Sequence, residues 1–332
     1  MSNPNPHVLI VGAGLSGLTL AQILRKNNIS FSIFERDSRA DARAQGWAIA
    51  LHAPMLAEIS ASMPADLGPI EQTNHLGPLD HIPAQFFFYD VSKPDWRVGV
   101  TDDESGKIVR ANRQRLRVWL LQHLHVQYNQ RLVRVEERDD KVVAHFEDGS
   151  SETGDILVGA EGSRSLVRRH ILGGQEIMKP LPVGGKYTKQ YPDDLRVLVD
   201  KVPVERYRQP GIVLQSVELT ADQLPAGRIT LAGDAAHSMT PSYSTVRGEA
   251  GVCAITDGLR LGGAIIRIRD AGGKSEDVVK FIAEYRDDMI TRGAKAIRVS
   301  NPVLEDHAKD AKYEFYTCGK KVLPLAKESV TI

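Results

Sequence analysis

Apolar positions along the chain change period several times, and each change marks an element. His7 to Val11 is an apolar stretch without polar alternation, the pattern of a strand buried on both faces. It ends in Gly12-Ala13-Gly14-Leu15-Ser16-Gly17, after which Leu18, Ala21 and Leu24 recur three apart until the polar Lys26-Asn27-Asn28. That spacing predicts an amphipathic helix with a polar stop. Ser30 to Glu35 alternates and carries Phe31, Ile33 and Phe34, which predicts a second strand. Strand, glycine turn, helix and strand in this order begin a doubly wound parallel sheet.

Further along, Leu116, Trp119, Leu120 and Leu124 lie on one face of a helix that starts near Arg113. Leu132 to Glu137 and Lys141 to Phe146, separated by Asp139-Asp140 and followed by an Asp148-Gly149 turn, predict a β-meander. It feeds a buried strand, Asp155 to Val158, that ends in Gly159-Ala160-Glu161-Gly162. The device recurs at Arg228 to Ala232, which ends in Gly233-Asp234-Ala235-Ala236-His237. Two helices follow, one from Gly251 with Val252, Ile255, Leu259 and Ile266, the other from Asp277 to Val299 with Val278, Ile282, Tyr285 and Met289. Shorter strand patterns lie at Gln85 to Val91, Arg97 to Thr101, Leu195 to Asp200 and Ile212 to Leu219.

Charge and composition narrow the partners. The 332 residues hold 42 Lys+Arg against 42 Asp+Glu, so the basic footprint of a nucleic-acid binder is missing. No run of about 18 apolar residues occurs, so no membrane-spanning helix is expected. Met1 to Pro6 lacks the basic-then-apolar order of a secretory signal, and a cytoplasmic location is expected. Cys253 and Cys318 are too few and too distant for a disulfide framework or a zinc site. A small molecule is the partner that remains, and the sequence carries no signal for oligomeric state.

The glycine turn supplies the first chemistry. Gly12 permits the tight turn, Gly14 lets backbone approach a pyrophosphate, and Gly17 allows close packing of helix on sheet. Amide groups at the helix start then face the phosphates. Glu35 closes the second strand 18 residues after Gly17, where a carboxylate accepts hydrogen bonds from ribose hydroxyls. A nicotinamide dinucleotide and FAD share this grip, so the turn alone does not choose between them.

The second and third strand-end motifs make the choice. Residues 155–168 and 227–241, in this order after the glycine turn, resemble those of the single-component FAD-dependent monooxygenases of the aromatic-hydroxylase (4-hydroxybenzoate hydroxylase-like) type. Arg247-Gly248-Glu249-Ala250-Gly251 is similar to a loop of their fungal secondary-metabolism branch. The resemblance implies an α/β architecture: a Rossmann-like FAD-binding domain from residues 1–75, 105–175 and 227–300, a reduced antiparallel substrate sheet from 76–104 and 176–226, C-terminal helices, and a tail at 301–332. It also implies that three strand tips converge on one flavin nucleotide. By the same resemblance Glu35, with Arg36 beside it, takes the adenosine ribose, Arg113 the phosphate region, and Asp234 either a ribityl hydroxyl or phosphate-adjacent groups. Gly46 packs along the cofactor, and Gly251 sits under the pyrimidine edge of the flavin, where helix amides favour developing negative charge. NAD(P)H is implied as a transient co-substrate, with O2 used to hydroxylate or epoxidise a small organic metabolite.

Plainer readings stand beside these roles. Asp234 serves equally as a turn cap, Arg113 as one surface cation among Arg110, Arg115 and Arg117, and His237 as a structural histidine. Two departures from the family pattern also bear on function. Only 55 residues run from Gly173 to Gly227, so the substrate roof is thin, and Ser242 to Val246 lengthens the loop before Arg247. An FAD-binding paralogue with lost or altered oxygenase activity is the alternative. Glu161 also stands where the family has Asp.

Overall fold

Burial on both faces makes the strands of the central layer continuous apolar runs. Val8–Val11 (β1) pairs in parallel with Phe31–Phe34 (β2) on one side and with Ile156–Gly159 (β11) on the other. Val126–Gln127 (β7) adds outside β2, and Ile229–Leu231 (β14) adds outside β11, both in parallel. The resulting order is β14-β11-β1-β2-β7. The computed structural model describes residues 5–42, 48–75, 85–89, 97–101, 108–181, 214–239, 249–300 and 323–324.

Leu15–Lys26 (α1) crosses from β1 to β2. Its residues from Ser16 to Leu24 are all buried, so it is not the one-faced helix its spacing predicts. The reason is a second helix. Glu249–Ala271 (α6) covers the outer side of α1, and its small Gly258 and Gly262 meet Thr19 and Ile23. Gln22 of α1 finds partners inside: its amide donates to the carbonyls of Leu120 and Gln122 at 2.7 and 2.8 Å. A methyl group on Gly258 falls 2.8 Å from the Ser16 carbonyl and 2.7 Å from Thr19 Cβ. We expect Gly258→Ala to destabilise the protein, since overpacking costs ~1–3 kcal/mol against a helix-propensity gain of at most ~1 kcal/mol; denaturant unfolding of the variant checks it.

The opposite sheet face is covered by the antiparallel meander Leu132–Arg138 (β8), Lys141–Phe146 (β9) and Ser151–Gly154 (β10). Phe34 and Phe146 stack with ring centroids 4.5 Å apart, and Gly154 lets β10 lie against Leu9. Gly149 holds the predicted turn at φ +87°. Ala48–His52 (β3) pairs antiparallel with Ile108–Asn112 (β6), and Ala53–Ser62 (α2) follows β3. Asn112 ends β6 and caps Arg113–Leu121 (α3), its side-chain oxygen accepting from the amides of Gln114 and Arg115. Leu124 lies beyond α3 rather than on it, yet packs against the core.

Leu166–Ile171 (α4) follows β11, the single turn Asp234–His237 (α5) follows β14, and Ser275–Ser300 (α7) packs on α6. Of the thin sheet, Gln85–Tyr89 (β4) and Arg97–Thr101 (β5) pair as expected. Lys179–Leu181 (β12) pairs with Leu214–Ser216 (β13), a shorter strand than the 212–219 pattern predicts. The tail adds Leu323–Pro324 (β15) to the edge of β5. The strand expected at 195–200 lies outside the described residues. Among the described residues, no helix is long and apolar enough to cross a membrane.

Candidate functional site

The three strand tips converge. A side chain on Gly12, which turns at φ +110° after β1, meets the backbone of Ala160 just after β11. A side chain on Gly233, just after β14, falls 2.8 Å from Ser16 Oγ in the first turn of α1. Arg168 of α4, only 2% exposed, ties the second tip to the third: it donates to the Ser163 carbonyl at 2.6 Å and to the Ala235 carbonyl at 2.9 Å. Arg168 is the last residue of the second strand-end motif, residues 155–168. Burial holds its guanidinium below the ordinary arginine range, against the pull of Glu176 and Glu161. Glu161 does not reach outward. Its carboxylate accepts from Ser165 Oγ and the Val167 amide, which caps α4, and burial pushes its pKa up.

At the first tip, no side chain caps α1 and no acidic residue lies in its first turn, so its N-terminal dipole is left for a ligand. Gly14 has only the Ala160 carbonyl, 3.8 Å away, near the place of a Cβ. Gly17 is different: a Cβ there strikes the Gly12 carbonyl, so packing demands glycine. Glu35 is buried, and its two carboxylate oxygens accept from the Ala13 and Asp37 amides, each at 3.0 Å. Glu35 thus braces the glycine turn, and each oxygen retains a second lone pair. Arg36 follows it, half-buried, with no hydrogen bond or ion pair among the described residues. Arg117, which the sequence reading grouped with surface cations, is buried and donates to the carbonyls of Ala13 and Ala40. The turn is held from both sides.

At the third tip, Asp234 heads α5. Burial raises its carboxyl above the usual range, while the charges of His237 and Arg113 pull the other way. The structure therefore brings Arg113, at the start of α3, into the field of Asp234, across more than a hundred residues of sequence. Asp234 caps nothing: its carboxylate accepts no hydrogen bond among the described residues. Half-buried and without a donor from the described chain, it is left to accept a hydrogen bond from a ligand. His237 is paired, its Nε2 lying 2.6 Å from Asp257 of α6. Gly251 lies in the first turn of α6, where a Cβ strikes Ile49 Cδ1 of β3. Packing alone thus accounts for that glycine. Gly46 and the lengthening segment from Ser242 to Val246 lie outside the described residues.

The uncapped helix, the open approach at Gly14 and the donor-less Asp234 fit a dinucleotide with a polyhydroxyl arm. Comparisons with known proteins agree. Residues 5–181 match the family model described as an FAD binding domain. The FAD-dependent monooxygenase thnD of Trichoderma harzianum is 33% identical over 408 aligned positions, covering 97% of this chain and 98% of that protein. Penicillium herquei phnB, also an FAD-dependent monooxygenase, is 33% identical over 53% of this chain and 43% of its own length. Among solved structures, an HpxO variant from Klebsiella pneumoniae in complex with FAD has a TM-score of 0.68 at 20% identity, covering 91% of each chain. The 2,6-dihydroxypyridine-3-hydroxylase of Arthrobacter nicotinovorans has a TM-score of 0.67 at 14% identity, over 99% of this chain and 100% of that one.

The chain is a flavoprotein oxidoreductase that binds FAD. It belongs to the FAD-dependent monooxygenases, with fungal enzymes such as thnD and phnB among its relatives. The thnD alignment spans 408 positions against 332 residues here, so at least 76 of its positions have no counterpart in this chain.

Proposed function

We propose that the enzyme uses NAD(P)H and O2 to hydroxylate or epoxidise a small aromatic, polyketide or alkaloid secondary metabolite. The relatives named above support the oxygenase reading, and the fungal ones the metabolite class. Bound FAD supplies hydride acceptance and activation of dioxygen. This chain's residues supply the rest of what we infer. The amides at the start of α1, reached past Gly14, face the pyrophosphate, while Gly12 and Gly17 shape the turn. Glu35 and Arg36 meet the adenosine ribose. Arg113 balances phosphate charge, and Asp234 accepts from a ribityl hydroxyl. Gly46 and Gly251 lie along the flavin. The two small antiparallel sheets, one with β4 and β5 and one of β12 and β13, supply the wall that keeps water from the reacting centre.

The observation that carries the cofactor assignment is the half-buried Asp234 carboxylate, raised by desolvation, with no donor beside it among the described residues. Its raised pKa has a definite sign in the apoprotein. The folded state holds the proton more tightly than the unfolded one, so stability falls as pH climbs from the unfolded value of about 3.9 through the folded value. We expect Asp234→Ala to leave apoprotein stability at neutral pH unchanged or improved while FAD retention falls at least tenfold; paired thermal unfolding and visible absorbance measure both. Retained FAD removes Asp234 from the site. For the reaction, the test is NAD(P)H oxidation with isotopically labelled dioxygen and phenolic polyketide substrates. Label in the organic product supports oxygenation, and NAD(P)H consumption that yields only hydrogen peroxide with every substrate argues against it.

A further inference from the structure

Beneath the third strand tip lies a buried charge cluster that the cofactor assignment does not use. Asp257 of α6 is fully buried. Its Oδ2 accepts from the Gly233 amide at 2.7 Å and lies 2.6 Å from His237 Nε2, while its Oδ1 accepts from Arg292 of α7 at 3.0 Å. Arg292 also pairs with Asp288, one turn earlier on α7, at 2.7 Å. Tyr285, on the same helix, donates its hydroxyl to the Leu231 carbonyl at 2.9 Å. The His237 ring is backed by Gly293, where a Cβ falls 2.8 Å from the histidine Cβ, and its Nδ1 is buried with no partner among the described residues.

A fold needs only one acceptor for the Gly233 amide, and a buried ion pair is a poor way to gain stability, since desolvation offsets most of its attraction. What the cluster does achieve is geometric. Gly233 and His237 flank Asp234 on both sides, and Asp257 holds both, whereas the Asp234 carboxylate itself is held by nothing in the described chain. We propose that Asp257 is the positioning residue for the flavin end of the site, fixing the Gly233 amide and the His237 ring and through them the direction and charge of the Asp234 carboxylate. This rests on the reading that Asp234 contacts FAD.

Electrostatics runs the same way. Burial opposes charge on His237, yet the Asp257 carboxylate outweighs it and holds the ring above the ordinary histidine value. Burial likewise opposes charge on Asp257, and His237 and Arg292 bring it below the ordinary carboxylate range. The charged ring in turn pulls the Asp234 carboxyl down against its own burial. The other charged or titratable groups around the turn are Arg113 on α3, Arg168 on α4, and Asp288, Arg292 and Tyr285 on α7. The Asp257 charge also raises the Asp234 carboxyl directly, but this effect is smaller than the lowering by His237. Removing the Asp257 charge takes away the partner that keeps the ring charged, and on balance the Asp234 proton is then retained to higher pH.

The experiment is the pH dependence of FAD affinity in full-length protein, read by flavin fluorescence quenching, alongside apoprotein melting. In the wild type, affinity falls on the acid side as Asp234 protonates. In Asp257→Asn that acid limb moves up by about one pH unit, and FAD binding below it weakens about tenfold. His237→Gln, whose amide can still reach Asp257, moves the limb in the same direction and further, because the Asp257 charge that raises Asp234 stays, and serves if Asp257→Asn does not fold. On an Asp234→Asn background neither substitution moves the profile further. A purely structural role lowers melting temperature but leaves the acid limb in place, and that result overturns the proposal. If Asp234→Asn alone leaves FAD affinity and its pH profile unchanged, the reading of Asp234 has failed instead. Ring NMR of the wild-type protein gives an independent check. His237 is expected to hold its proton to higher pH in the wild type than in Asp257→Asn, and an identical ring titration in the two proteins refutes the electrostatic part of the proposal outright.

Discussion

Gly14→Ala is expected to fold normally and purify without flavin, whereas Gly12→Ala is expected not to fold. The two positions differ in what surrounds them. At Gly12 the backbone turns at φ +110°, and an added Cβ lies 2.6 Å from the Ala160 carbonyl carbon and closer still to its oxygen. These are backbone atoms at the joint of β1 and β11, so the sheet itself has to open. At Gly14 the backbone is extended, at φ −83° and ψ −174°, which alanine adopts freely. Its nearest neighbour is the Ala160 carbonyl at 3.8 Å, an ordinary contact. Nothing in the described chain demands glycine there, so under the proposed placement of FAD the demand is assigned to its pyrophosphate. Replacing glycine at a compatible position stabilises by about 0.4–1 kcal/mol through the unfolded state. The Gly14→Ala apoprotein is therefore expected to melt at or above the wild-type temperature while its visible flavin absorbance is lost. Full FAD occupancy in this variant contradicts the placement of the pyrophosphate at the start of α1.

Arg168→Ala is expected to be the most destabilising change among the charged residues of the second motif. Its guanidinium holds the carbonyls of Ser163 and Ala235, the backbone links between the β11 and β14 tips. Truncation leaves two acceptors short of a donor at about 1–3 kcal/mol each and opens a cavity where a fully buried side chain stood. The Glu176 and Glu161 carboxylates then lose a nearby cation as well. We expect a loss of roughly 3 kcal/mol or more in urea unfolding. Arg168→Lys recovers only a part, because one ammonium cannot reproduce the planar fork to two separate carbonyls. A lysine variant with wild-type stability shows that charge alone, rather than the two-pronged geometry, joins the tips. Because Ala235 follows Asp234, flavin retention is expected to fall in both variants.

How far the sequence carried the fold follows from locality. The buried strands β1, β2, β11 and β14, the Asp148-Gly149 turn and the long helices were legible because each announces itself within about ten residues. The glycine turn was legible for the same reason, and so was Glu35 by its distance from it. The periodicity of α1 misled, since Leu18, Ala21 and Leu24 describe one apolar face, while small residues of α6 cover the other. The sequence reading left His237 structural for want of a partner. The partner is Asp257, one helix later, and no spacing rule connects them.

The order of strands, helices and strand-tip motifs, with their glycines and acids, is written in the sequence because backbone conformation and burial impose short periods that survive without long-range contacts. Which polar residues act together was decided by the tertiary structure alone. Arg168 joins two tips, Arg117 braces the glycine turn, the charge of Arg113 acts on Asp234, and Asp257 and Arg292 lie beneath the third tip; these interactions join elements far apart in the chain. A hydrogen bond or an ion pair depends on distances of a few ångströms between side chains, and only the packed sheet and its covering helices set those distances.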